Sequence, residues 1–323
     1  MKRSLECWLA AVLFLVLGHT STPAGEAADN AFEVFVSIPP QAYLVERIGG
    51  RHVTARVLVQ PGQEPHTFEP TPRQVMALGR AKLFLAVGLP FETRLLAKIR
   101  SARQQFTVVD TTEGITKRKM ASHRHPSHTQ PSEHAPHAEG HQDDREAHEQ
   151  HGHHHHKAAA AGDDPHVWLS PPLLLTMARN VARALQQADP GHAAVYEQNL
   201  AALTKDIEAT HQQVGEVLAP YKGKSFYVFH PAFGYFGDAY GLRQEAVEIQ
   251  GKSPTPRQLA RLVAKARADN VRIIFVQPQF DPKSAEAVAK AIGGTVVAID
   301  PLAHDVLGNF SRMATKIKAA LTP

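Results

Sequence analysis

The chain has 323 residues, 43% hydrophobic and 20% charged, with a formal net charge of +4. That apolar content supports packed cores and excludes wholesale disorder, and the length suits one large domain or two of middling size. With 35 Lys and Arg against 31 Asp and Glu and no dense basic stripe, nucleic acid is not an expected partner.

The elements read in chain order begin with a leader. Lys2 and Arg3 precede an uncharged run, Trp8 to Leu17, and small residues follow from Ala24 to Ala28. This is the pattern of a secretory signal peptide over 1–28, cleaved near Ala27 or Ala28. Cys7 is the single cysteine and lies before the apolar run. The mature chain therefore has no thiolate and no disulfide, and any metal must be held by nitrogen and oxygen.

From Phe32 onward strands alternate with helices. Phe32–Ile38, Val53–Val59, Lys82–Gly88 and Phe106–Asp110 read as strands. Pro39 and Pro40 open a helix that ends at Gly49–Gly50, and a further helix lies near Glu92–Ser101. A short helix over Thr71–Ala81 has Thr71 as cap and Pro72 in its first turn. The segment 116–162 has no periodic apolar face and reads as a disordered insertion loop. It holds most of the histidines: of 20 in the chain, 12 fall between His123 and His156. Pro171–Gln187 is an amphipathic helix, and after Asp189–Gly191 a second helix of about 27 residues, or about 40 Å, runs from His192 to Leu218. Ser225–Phe229, Arg272–Val276 and Thr295–Ile299 are later strands, with helices over Thr255–Ala268 and Asp281–Ile292. The pattern predicts an α/β protein: two α/β lobes with parallel sheets, joined by a long rigid helix, with a ligand cleft between them. The expected divisions are a lobe over 29–170, linking helices over 171–220 and a lobe over 221–323.

Four metal-capable side chains stand at strand ends or in stiff loops. His66 follows the second strand in PGQEPHTFEP, and His166 follows Pro165 in DDPHVWLSP. His230 ends the strand Ser225–Phe229, and Asp300 ends the strand Thr295–Ile299. Ligands of parallel sheets gather outside the carboxyl ends of strands. Three imidazoles and one carboxylate suit a borderline ion such as Zn2+ in a four-coordinate site. Glu64, two residues before His66, offers an alternative oxygen. His192 and His211 read as solvent-facing, His52 and His304 as loop residues, Trp168 as packing beside His166, and Tyr235 and Phe236 as a wall behind the site.

The ordered set PHTFEPTPRQV, DPHVWLSP, ADPGHAAVYEQN, FHPAFGYFGDAYGL and AIDPL resembles the metal-binding solute-binding proteins of bacterial ABC uptake systems, the cluster A-I family. The histidine-rich insertion resembles the zinc-specific branch. The resemblance implies two α/β lobes bridged by a rigid helix and His66, His166, His230 and Asp300 as metal ligands. It further implies a periplasmic, monomeric carrier that delivers Zn2+ to a membrane permease, with a periplasmic zinc chaperone as a further partner. Manganese-binding relatives usually place a carboxylate at the third motif, so His230 favours Zn2+. The insertion would act as a low-affinity zinc collector or sensor. Two other classes stay open: a zinc hydrolase with a three-histidine open site, against which the chain has no H-E-x-x-H, and a metal store or adhesin.

Overall fold

The computed structural model describes residues 31–102, 107–120, 162–248 and 255–322. The expected leader and nearly all of the histidine-rich insertion lie outside these residues. Among the described residues no helix is long and apolar enough to cross a membrane.

Two four-stranded parallel sheets form the scaffold. The first contains β1 (Phe32–Val36), β2 (Val53–Val57), β3 (Leu83–Ala86) and β4 (Thr107–Asp110), in the order β2-β1-β3-β4. The second contains β5 (Ser225–Val228), β6 (Arg243–Ala246), β7 (Ile273–Val276) and β8 (Thr295–Ala298), in the order β6-β5-β7-β8. Each sheet reverses its winding beside its first strand, so each has a crevice at the carboxyl ends of its two central strands. The registers place Val36 beside Val57 and Leu85, and Val228 beside Ala246 and Phe275. The central strands are buried on both faces, which is why β3 reads LFLA and β7 reads IIFV without alternation.

Helices cover the sheets: α1 (Pro39–Gly49), α2 (Pro72–Leu78), α3 (Pro90–Ala102), α4 (Pro171–Ala188), α5 (Ala193–Leu218), α6 (Gly234–Tyr240), α7 (Pro256–Ala268), α8 (Lys283–Ile292) and α9 (Val306–Leu321). Thr71 and Gln74 form a reciprocal capping box on α2, and Thr255 and Gln258 repeat it on α7. Helix α5 has 26 residues, a length of about 39 Å. It packs against α1 beside the first sheet, against α4, which precedes it in the chain, and against α9 at the C-terminal end. Tyr196, Leu203, Ile207, Val214 and Leu218 form its buried stripe, at the spacing a helix needs to keep one face inward. One apolar cluster runs from the first sheet through α4 and α5 to α9 and Phe226, Val228 and Phe275 of the second sheet. A smaller one lies between the second sheet and helices α7 and α8.

A buried polar network braces the carboxyl end of the first sheet. Glu92 accepts from the backbone N–H groups of Val87, Gly88 and Leu89 and from Ser37 Oγ. Gln41 accepts from Ser37 N and donates to Leu85 O and Thr111 Oγ1. These bonds satisfy the backbone where strands end, which fixes the loops that leave them.

The α/β class, the two parallel sheets and the long helix agree with the expectation from sequence. Three elements had not been expected: α6, β6 and α9. Strand β6 reads RQEA and α6 reads GYFGDAY; both are too short and polar or glycine-rich to show an apolar period. Gly241 at φ 68° closes α6 in the left-handed region.

Candidate metal centre

The loop after β2 carries His66. Leu58 and Val59 first extend the ladder by donating to Val36 O and Ser37 O. Gly62, at φ 82°, then turns the chain. Glu64 caps the following turn, accepting from His66 N at 2.8 Å, Thr67 N at 2.6 Å and Thr67 Oγ1 at 2.6 Å. One of its oxygens thus holds the His66 backbone and the other holds Thr67. Phe68 anchors the loop against Phe91, their ring centroids 5.0 Å apart.

His166 is set by the chain on both sides of the insertion. Lys119 and Asp163 form an antiparallel bridge, Met120 N donates to Gly162 O and Asp164 N to Arg118 O. Tyr235 Oη, on α6, accepts from Arg118 N and donates to Asp164 O, each at 2.9 Å. Trp168 packs against the His166 ring at 5.2 Å between centroids and donates its indole N–H to Pro301 O. These bonds join the first half of the chain to the second directly beside the site.

His230 leaves the end of β5. Its backbone is clasped by the Gln277 side chain, which accepts from His230 N at 3.1 Å and donates to His230 O at 2.6 Å. Phe280 stacks on its ring at 5.0 Å with planes 21° apart.

The structure brings the three imidazoles together. Their ligand nitrogens all lie within 4.8 Å of one another, and His66 Nε2 stands 3.1 Å from His166 Nε2. Two nitrogens bound tetrahedrally to one zinc, each at about 2.0–2.1 Å, stand about 3.3 Å apart. The spacing observed is therefore close to that of a shared cation. His166 Nδ1 donates to Asp164 Oδ1 at 2.7 Å, and His230 Nδ1 donates to Glu248 Oε2 at 2.9 Å. A carboxylate only accepts, so Nδ1 carries the hydrogen in both rings and Nε2 is left with its lone pair. His230 Nε2 is buried and has no hydrogen-bond partner in the protein, the condition a ligand nitrogen satisfies by binding a cation. Burial, with His166 and His230 close by, pushes His66 down to about 2. Burial also lowers His166, against the opposing pull of Asp164. Both rings are neutral near pH 7 and lose no proton on binding a metal.

Asp300 is not brought into this group. Its Oδ1 accepts from Gln279 Nε2 and from Leu302 N, each at 2.9 Å, and the cavity of the three histidines is lined instead by Glu64, Gln279, Phe280 and Pro301 among others. A strand end fixes where a residue sits but not where its carboxylate turns. Among the described residues the other histidines lie elsewhere. His52 and His192 stack at 3.9 Å, with His192 Nδ1 on Asp189 Oδ2, and His211 Nδ1 meets Tyr240 Oη at 3.0 Å. His192 and His211 are half-buried, each making a hydrogen bond while part of the ring still meets solvent. His304 pairs with Glu46 at 2.9 Å.

Sequence reasoning missed the two carboxylates that orient the ligands. Asp164 was visible two residues before His166. Glu248 follows a strand that has no legible pattern. Glu248→Gln is expected to weaken metal binding about 10–100-fold with little change in melting temperature, because an amide can present its N–H to Nδ1 and turn the ring to the wrong tautomer. Competition titration against a chelator checks this; unchanged affinity would remove Glu248 from the site.

Two parallel-sheet lobes braced by one long helix, with a trio of converging imidazoles of which His166 and His230 are buried, define a metal-binding solute-binding protein of the kind that serves bacterial ABC uptake. The family described as zinc-uptake complex component A, periplasmic, matches residues 34–320, and the chain belongs to this ZnuA family. A crystal structure of ZnuA is 36% identical, with a TM-score of 0.77, and is covered over 100% of its length by 91% of this chain. The Haemophilus influenzae high-affinity zinc uptake system protein ZnuA is 33% identical over 156 residues, 48% of this chain and 46% of that one. The Bacillus subtilis manganese-binding lipoprotein MntA is 26% identical over 317 residues, 95% of this chain and 92% of that one.

Proposed function

We propose that the protein captures Zn2+ in the periplasm and hands it to the membrane permease of an ABC importer. The observation that carries this reading is the convergence of His66, His166 and His230 within 4.8 Å. Three imidazole nitrogens favour zinc, whereas manganese is better served by oxygen. Asp164 and Glu248 add negative charge beside the trio, which suits a dication. Asp300, whose Oδ1 accepts from Gln279 beside the cavity, is the further candidate oxygen ligand of this reading. The family assignment supports transport rather than turnover, so no reaction is assigned.

The remaining parts follow from the same reading. Residues 1–28 are the cleaved signal peptide. The lobes comprise 29–170 and 221–323, with 171–220 as the linking helices, and the chain works as a monomer. The insertion over 116–162 collects zinc at low affinity, or senses it, since its 12 clustered histidines tethered to the chain would raise the local zinc concentration. A periplasmic zinc chaperone is a further partner.

The test is a titration of the chelator-treated mature protein with Zn2+ and with Mn2+. One tight zinc equivalent is expected, with manganese weaker by at least about 100-fold on ligand chemistry. Equal affinity for the two ions would overturn the zinc assignment.

A further inference from the structure

We propose that Gln279 is the positioning residue of the fourth coordination position, holding Asp300 with its amide nitrogen while its amide oxygen accepts from a water that the bound cation carries. The inference rests on the three-histidine reading above. Gln279 leaves the carboxyl end of β7, next to β5 and His230, and lines the same cavity as His66, His166 and His230. Its Nε2 donates to Asp300 Oδ1 at 2.9 Å. Because a carboxylate offers no hydrogen, the amide nitrogen must be the end that faces Asp300, and this sets the direction of the amide oxygen.

That oxygen is the second observation. Gln279 Oε1 is buried and has no hydrogen-bond partner in the protein. Among the described residues one other buried side-chain atom is in the same condition, His230 Nε2, and both belong to residues lining this one cavity. Both are acceptors: the nitrogen because Nδ1 donates to Glu248, the oxygen because it is a carbonyl. Unpaired buried acceptors are costly and rare, and two in one cavity call for an electron-poor occupant. Imidazole nitrogen binds zinc directly. An amide oxygen is a harder donor, suited to water and to harder ions. A cation-bound water, its O–H bonds polarised by the charge, gives that oxygen its partner. Asp300, held by the same amide, is thereby coupled to the site although its carboxylate stands outside the histidine group.

The experiment titrates Gln279→Leu, Asp300→Asn and the double variant with Zn2+ and, for visible spectra, with Co2+. Gln279→Leu is expected to weaken zinc about tenfold or more, in the range of lost outer partners, and to shift the cobalt d–d bands, which report coordination. Far-UV circular dichroism should not change. Since Asp300 reaches the site through Gln279, the double variant should lose no more affinity than Gln279→Leu alone. Zinc binding within twofold and unchanged cobalt bands in Gln279→Leu would overturn the proposal, as would strictly additive losses. If the leucine variant misfolds, Gln279→Glu keeps the shape and the acceptor but loses the donor, and the same band shift is expected of it. His66→Ala, run alongside, separates the two levels. Tight zinc in that variant would overturn the three-histidine reading, whereas its loss with Gln279→Leu unaffected would overturn only the role of Gln279.

Discussion

Replacing His230 with alanine is expected to lower zinc affinity by more than about 100-fold, beyond the loss that follows when an outer-shell partner is removed. The ring supplies one of three nitrogens, and its Nε2 has no other partner. The variant should fold, because the backbone at position 230 is held by the Gln277 side chain and by the β5–β7 pairing rather than by the imidazole. Glu248 loses its contact with Nδ1, so the pair His230→Ala with Glu248→Gln, which also removes the stranded charge, should recover stability but not binding. Deleting 121–161, which keeps the Lys119–Asp163 bridge and the Arg118 contacts that set His166, should leave the tight equivalent in place. Calorimetric titration against a competing chelator checks all three. Tight zinc retained in His230→Ala would mean that the histidine trio is not the capture site.

The second large effect is the response of the metal-free protein to acid. Unfolded histidines protonate near their ordinary value of about 6.5, whereas His66 in the fold stays neutral down to about 2, and His166 is lowered in the same direction by burial. Between these limits the unfolded chain binds more protons than the native one, so stability falls as the pH falls. The expected slope is about 1.4 kcal/mol per pH unit for each such histidine. This stability is fully present above pH 6.5 and is lost progressively below it. Melting temperatures of chelator-treated protein from neutral to mildly acidic pH would show the decline, and His66→Ala should flatten it. A melting temperature independent of pH over this range would mean that the buried rings are already protonated in the fold.

Much of the site could be located from residues alone because stiff segments advertise themselves. Pro61, Gly62 and Pro65 bracket His66, Pro165 precedes His166, and His230 ends an apolar strand. The same logic found Asp300 at a strand end, yet its Oδ1 turns to Gln279 and Leu302. Glu64 was weighed as an oxygen donor, but its own loop uses both of its oxygens. Glu248 and Gln279 could not be picked out, since each becomes meaningful only when β6 and β7 settle on either side of β5.

By itself, then, the sequence determined the α/β class, the long helix and the three imidazoles, because apolar period, caps and proline-stiffened turns are local properties of the chain. Only the tertiary structure decided the centre's chemistry. It set which nitrogen of His166 and His230 carries the hydrogen, through Asp164 and Glu248, and brought His66 Nε2 to 3.1 Å from His166 Nε2 across 100 residues of chain. It also kept Asp300 outside the trio. Those are matters of side-chain direction and burial, which depend on groups distant in sequence meeting at one point.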